Sequence, residues 1–82
     1  MATYVLMLKE FEDKDKVIYK FGPDEKRLGK VEINKITKEY FEIEPVPDVE
    51  TKFYLNCTVS KLLKHLKENG DKEFPQKTFY AS

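Results

Sequence analysis

The chain carries one cysteine and one histidine among its 82 residues. Nucleophilic and metal chemistry must therefore be sought around Cys57 and His65. The two lie eight residues apart in a segment with helical periodicity, which separates them by about 12 Å along the axis. That is too far for His65 to act as the base of a Cys57 nucleophile, and one of each residue builds none of the familiar metal clusters. The three glycines, Gly22, Gly29 and Gly70, are too scattered to form a phosphate-cradling loop. No cofactor and no metal is expected.

On a helix, Phe53, Tyr54, Lys61, Lys64 and His65 project within about 80° of Cys57. Leu55, Val59, Leu62, Leu63 and Leu66 fall in an opposite arc of about 100°. The helix thus has a core stripe and a second, partly apolar face. Two readings of Cys57 follow. A solvent-facing thiol beside Lys61 and Lys64 would have a lowered pKa and serve a thiol-dependent enzyme or a redox sensor. A thiol under the C-terminal tail would be inert, with Phe53 and Tyr54 packed against Phe74, Phe79 or Tyr80, and free cysteine is commonly buried in this way. If the tail does not cover this face, a partner must. Phe53, Tyr54, Cys57, Lys61 and Lys64 are the candidate surface, for a protein partner or a second copy of the chain.

The elements that hold these residues read as follows. Residues 3–8 form an apolar run too short for a helix, hence a strand buried on both faces. Residues 12–16 are a polar turn. Residues 17–21 form a second strand with Val17, Tyr19 and Phe21 on one face, and Gly22-Pro23-Asp24 ends it. Residues 29–34 and 38–44 alternate as two further strands. Val31 and Ile33 face the core in the first, and Phe41 and Ile43 are expected to do so in the second. Pro45 and Pro47 close the sheet run. Asp48 is placed to cap a helix from about Val49 to Glu68, with Glu50 in its first turn and Asn69-Gly70 as its stop. The tail after Phe74 adds an edge strand or lies over the helix. The expected fold is α+β: a four-stranded antiparallel meander, with a possible fifth C-terminal edge strand, packed on one amphipathic helix in a single domain over residues 1–82.

Fifteen basic and fifteen acidic residues cancel to a formal charge of zero. The cancellation is between blocks. Residues 39–50 hold Glu39, Glu42, Glu44, Asp48 and Glu50 with no base, and residues 51–67 hold Lys52, Lys61, Lys64 and Lys67 with no acid. Compensation between neighbours explains this, and so does a polar protein-binding surface. Zero net charge argues against nucleic-acid binding through bulk charge. The alternative of single-strand stacking on an open sheet face would use Tyr4, Lys20, Lys30 and Tyr40, against repulsion from Glu32, Glu42 and Glu44. One unpaired cysteine, an N-terminus without a basic leader, and no run near the roughly 20 apolar residues that span a bilayer point to the cytoplasm. The function expected is a small non-catalytic protein-interaction module.

Overall fold

A computed structural model describes residues 4–49, 52–69 and 73–81. The elements are β1 (Tyr4–Glu12), β2 (Lys16–Asp24), β3 (Arg27–Asn34), β4 (Tyr40–Glu44), α1 (Phe53–Asn69) and β5 (Lys77–Ala81). They form one antiparallel sheet in the order β4-β3-β2-β1-β5. The meander on one helix is present, and the tail supplies the fifth strand at the edge, antiparallel to β1.

Three hairpin turns are set by one device. Asp13, Asp24 and Asn34 each end a strand or follow one. The side-chain oxygen of each accepts from the backbone N–H two and three residues on, at 2.8–3.0 Å. A short Asx side chain thereby closes the turn before the ladder begins. Gly22 serves the β2–β3 hairpin differently. A Cβ there would lie 2.0 Å from the Arg27 carbonyl oxygen, so only glycine allows the strands to approach this closely.

The helix covers one sheet face. Val5, Met7, Val17, Tyr19, Phe21, Val31 and Ile33 face it, and Leu55, Val59, Leu62 and Leu66 answer from α1. All of these are buried, as the period-two and 100° patterns of the sequence expect; Leu63 of the stripe is only half-buried, and Cys57 and Thr58 outside it are buried as well. The molecule measures 32 × 24 × 19 Å. That thickness fits two layers packed about 10 Å apart, with none of the described residues over the far side of the sheet.

Several expectations are corrected. β1 runs to Glu12 rather than Leu8, with a bulge at Glu10 that turns Phe11 to face Ile18 and Glu12 to face Val17. β4 has the opposite orientation from the one expected. Phe41 pairs with Glu32 on the uncovered face, while Tyr40 and Glu42 pair with Ile33 and Val31 on the helix side. Alternation alone cannot decide which face of an edge strand points inward, and a register shift beside Ile43 reverses the assignment within this five-residue strand. The helix starts at Phe53, not near Val49, because Asp48 adopts a left-handed φ of 62° and leads a turn instead of capping. The expected Glu50 dipole contact and Gly70 stop lie outside the described residues, as does Thr3.

Candidate interaction surface

On the helix flank expected to bind a partner, the centre is buried and the rim is not. Cys57 is 8% exposed, and Tyr54 is half-buried against the core. Tyr80 of β5 is the hydrogen-bond partner of the Cys57 thiol. Burial pushes the thiol pKa up, and the Tyr80 contact only partly offsets this. A reactive thiolate needs the opposite shift. Of the other residues in this set, Phe53 and Lys64 are exposed and Lys61 is half-buried. Phe53 meets Tyr54 edge-on at 5.8 Å. Cys57 is thus buried, as the inert reading expects, while Phe53 is exposed and Phe74 and Phe79 pack on Tyr19, His65 and Tyr4 instead of on Phe53 and Tyr54.

A cluster of charges absent from the sequence reading sits at the other end of the sheet. Lys9 follows Val5 and Met7 at period two, so it points to the helix side, and the Glu10 bulge brings Glu12 beside it. The side chains of Lys9, Glu12 and Lys35 are only 5%, 11% and 10% exposed. Lys9 Nζ donates to Glu12 Oε1 at 2.8 Å, to Glu73 Oε1 at 3.2 Å and to the Phe74 carbonyl at 2.8 Å. Lys35 Nζ donates to Glu12 Oε2 at 2.5 Å and to the Asp13 carbonyl at 2.7 Å. The Phe74 N–H donates to the same carboxylate at 3.1 Å. Burial alone would raise the Glu12 pKa, but hydrogen bonds from Lys35, Lys9 and Phe74 outweigh it and hold the carboxyl low. Every Lys9 proton has an acceptor, so the cluster offers neither a free base nor a nucleophile. It fastens residues 73–76, the strap between α1 and β5.

The strap has further ties. Tyr19 donates its hydroxyl to the Pro75 carbonyl, and burial, aided by the Glu12 charge, pushes the Tyr19 pKa up. Lys9 N–H donates to the Gln76 carbonyl at 2.8 Å. Phe74 is buried edge-on to Tyr19 and lies 4.3 Å from the His65 ring. His65 thus takes part in packing, and its Nε2 is buried without a hydrogen-bond partner among the described residues.

The uncovered sheet face is the remaining large surface. By register it carries Tyr4, Leu6, Leu8 and Phe11 from β1, Lys16, Ile18 and Lys20 from β2, Lys30 and Glu32 from β3, Phe41 from β4, and Lys77 and Phe79 from β5. Tyr4 stacks on Phe79 at 5.5 Å, and Lys16 lies over the Phe11 ring at 5.8 Å. Phe41 is 66% exposed and Phe79 52%. Glu10 pairs with Lys30 at 3.2 Å and with Lys20 at 3.8 Å. The two lysines expected on a nucleic-acid-binding face thus share one carboxylate, and Tyr40 lies on the helix side instead. Burial of Leu6 on this face shows how closely its neighbours pack.

Comparison with protein-family models, curated proteins and solved structures finds no match to this chain. Among the described residues no helix is long and apolar enough to cross a membrane.

Proposed function

We propose that this is a non-catalytic protein-interaction module of the cytoplasm, and that its working surface is the uncovered face of the sheet. The observation that carries this reading is the set of exposed rings on one face, Tyr4, Phe11, Phe41 and Phe79, around half-buried Leu8 and Ile18. Tyr4, Leu6, Leu8 and Phe79 form one apolar group and Phe11 with Ile18 a second, with Lys20, Lys30 and Glu32 lying between these and Phe41; apolar anchors interleaved with charges are a common make-up of a protein-docking face. Four strand spacings of about 4.8 Å and strands up to about 30 Å long give it roughly 600 Å² at most, the scale of a small interface. The internal Glu10–Lys20–Lys30 pairing weighs against phosphate as the ligand, and the buried Cys57 weighs against thiol chemistry.

The test is a double variant, Phe11→Lys with Phe41→Lys. Both rings are exposed, so the variant should fold with the wild-type circular dichroism spectrum and melting temperature. It should lose the protein that co-purifies with the wild type at native expression levels. A partner retained at full yield by the folded variant would remove this face from the account.

A further inference from the structure

Among the described residues the sheet has two free edges, β4 and β5. An unpaired edge presents a row of N–H and C=O groups that will accept another strand unless a bulge, a proline or charged side chains obstruct it. β4 carries these obstructions. Its register shifts beside Ile43, it holds Glu42 and Glu44, and Pro45 follows at once. Antiparallel pairing of β4 with its own copy about Glu42 would set that carboxylate against itself.

β5 has no bulge and no proline within its span. It pairs with β1 through five consecutive residues, Tyr4 with Ala81 to Leu8 with Lys77, without a register shift. Its one charge is Lys77, at the end of the strand. Centred on Phe79, antiparallel self-pairing sets Lys77 against Ala81, Thr78 against Tyr80 and Phe79 against its own copy. Only this centring pairs all five residues. The two Lys77 residues then lie four positions apart, about 13 Å, beyond the screening length at physiological salt. The two central rings meet on the uncovered face, each already stacked on its own Tyr4 at 5.5 Å. Aromatic cross-strand pairs of this kind stabilise antiparallel ladders.

We infer that β5 is a homodimer edge, and that two copies join through antiparallel β5 strands into one ten-stranded sheet. The occupant is a second copy because antiparallel self-pairing engages all five residues of the strand and keeps its like charges, the two Lys77, apart. The uncovered faces of the two copies become continuous across the seam, with four aromatic rings at its centre. This goes beyond the protein-binding reading and is tested apart from it.

Sedimentation equilibrium from low micromolar to several hundred micromolar is the experiment. The expected result is a concentration-dependent mass reaching twice the chain mass of 9.7 kDa. Phe79→Lys places two ammonium groups at the centre of the seam and should weaken the dimer about 30-fold or more. Phe79 is half-exposed, so this variant keeps the monomer fold, checked by its circular dichroism spectrum. Phe41→Lys, at the opposite edge, should leave the mass unchanged. Amide hydrogen exchange on the wild type gives an independent reading: β5 amides should gain protection with concentration while β4 amides do not. A monomer throughout, or a dimer sensitive to Phe41→Lys and indifferent to Phe79→Lys, would overturn the inference. Loss of partner binding in the Phe11/Phe41 variant with the dimer intact would separate the two claims.

Discussion

Glu12 is one carboxylate shared by two buried lysines and a backbone N–H. Removing its charge leaves Lys9 and Lys35 buried opposite a neutral amide, which is the costly way to break such a pair. Glu12→Gln should therefore destabilise the fold by about 3–5 kcal/mol in urea unfolding. Because its folded pKa lies below the ordinary 4.5, the contribution of Glu12 is present above that value and is lost as pH falls through the folded pKa. The gap between wild type and Glu12→Gln should be constant from pH 5 to 8 and shrink below about pH 4.5. A gap that does not vary with pH would mean that the carboxylate acts only by packing. Cys57 gives a second residue-scale check. With its thiol buried and its pKa raised, alkylation of the native protein at pH 8 should be at least about 100-fold slower than in denaturant. Equal rates would reinstate an accessible thiol.

Among the elements, the strap of residues 73–76 joins the two halves of the structure. Phe74 fills the space between Tyr19 and His65, and its backbone reaches both Glu12 and Lys9. Phe74→Ala should cost about 3–5 kcal/mol and should loosen β5 first, seen as faster amide exchange there than in β2 and β3. Gly22→Ala should also destabilise, by about 1–3 kcal/mol, since its Cβ would meet the Arg27 carbonyl; an unchanged melting temperature would show that the hairpin yields. Much of this was legible in the sequence. Val17, Tyr19 and Phe21 alternate cleanly, the leucine stripe has one period, and Asp13, Asp24 and Asn34 fall at turns. The core-facing Lys9 was legible too, as the next residue in the Val5, Met7 series. Glu12 was not, because a bulge changes the face without leaving a mark in composition. Nor was the orientation of β4, whose two faces are both too polar and too apolar to choose between.

At the scale of the molecule, one helix against five strands leaves a sheet face without a cover among the described residues, and four aromatic residues, Tyr4, Phe11, Phe41 and Phe79, stand exposed on it. On this face Glu10, Glu32 and Glu44 stand among Lys16, Lys20, Lys30 and Lys77, which leaves it near neutrality. Such a surface attracts neither polyanions nor polycations strongly and selects by shape and apolar contact. The sequence placed the candidate surface on the helix flank because it could show two apolar helix faces but not which one the tail would cover. The most direct measurement is site-resolved photo-crosslinking in the source cell, with a photoreactive residue placed singly at Phe11, Phe41, Ser60 or Lys67. The account predicts crosslinks to one protein from Phe11 and Phe41 and none from Ser60 and Lys67 on the outer helix. Crosslinks from the helix positions with none from the sheet would contradict it.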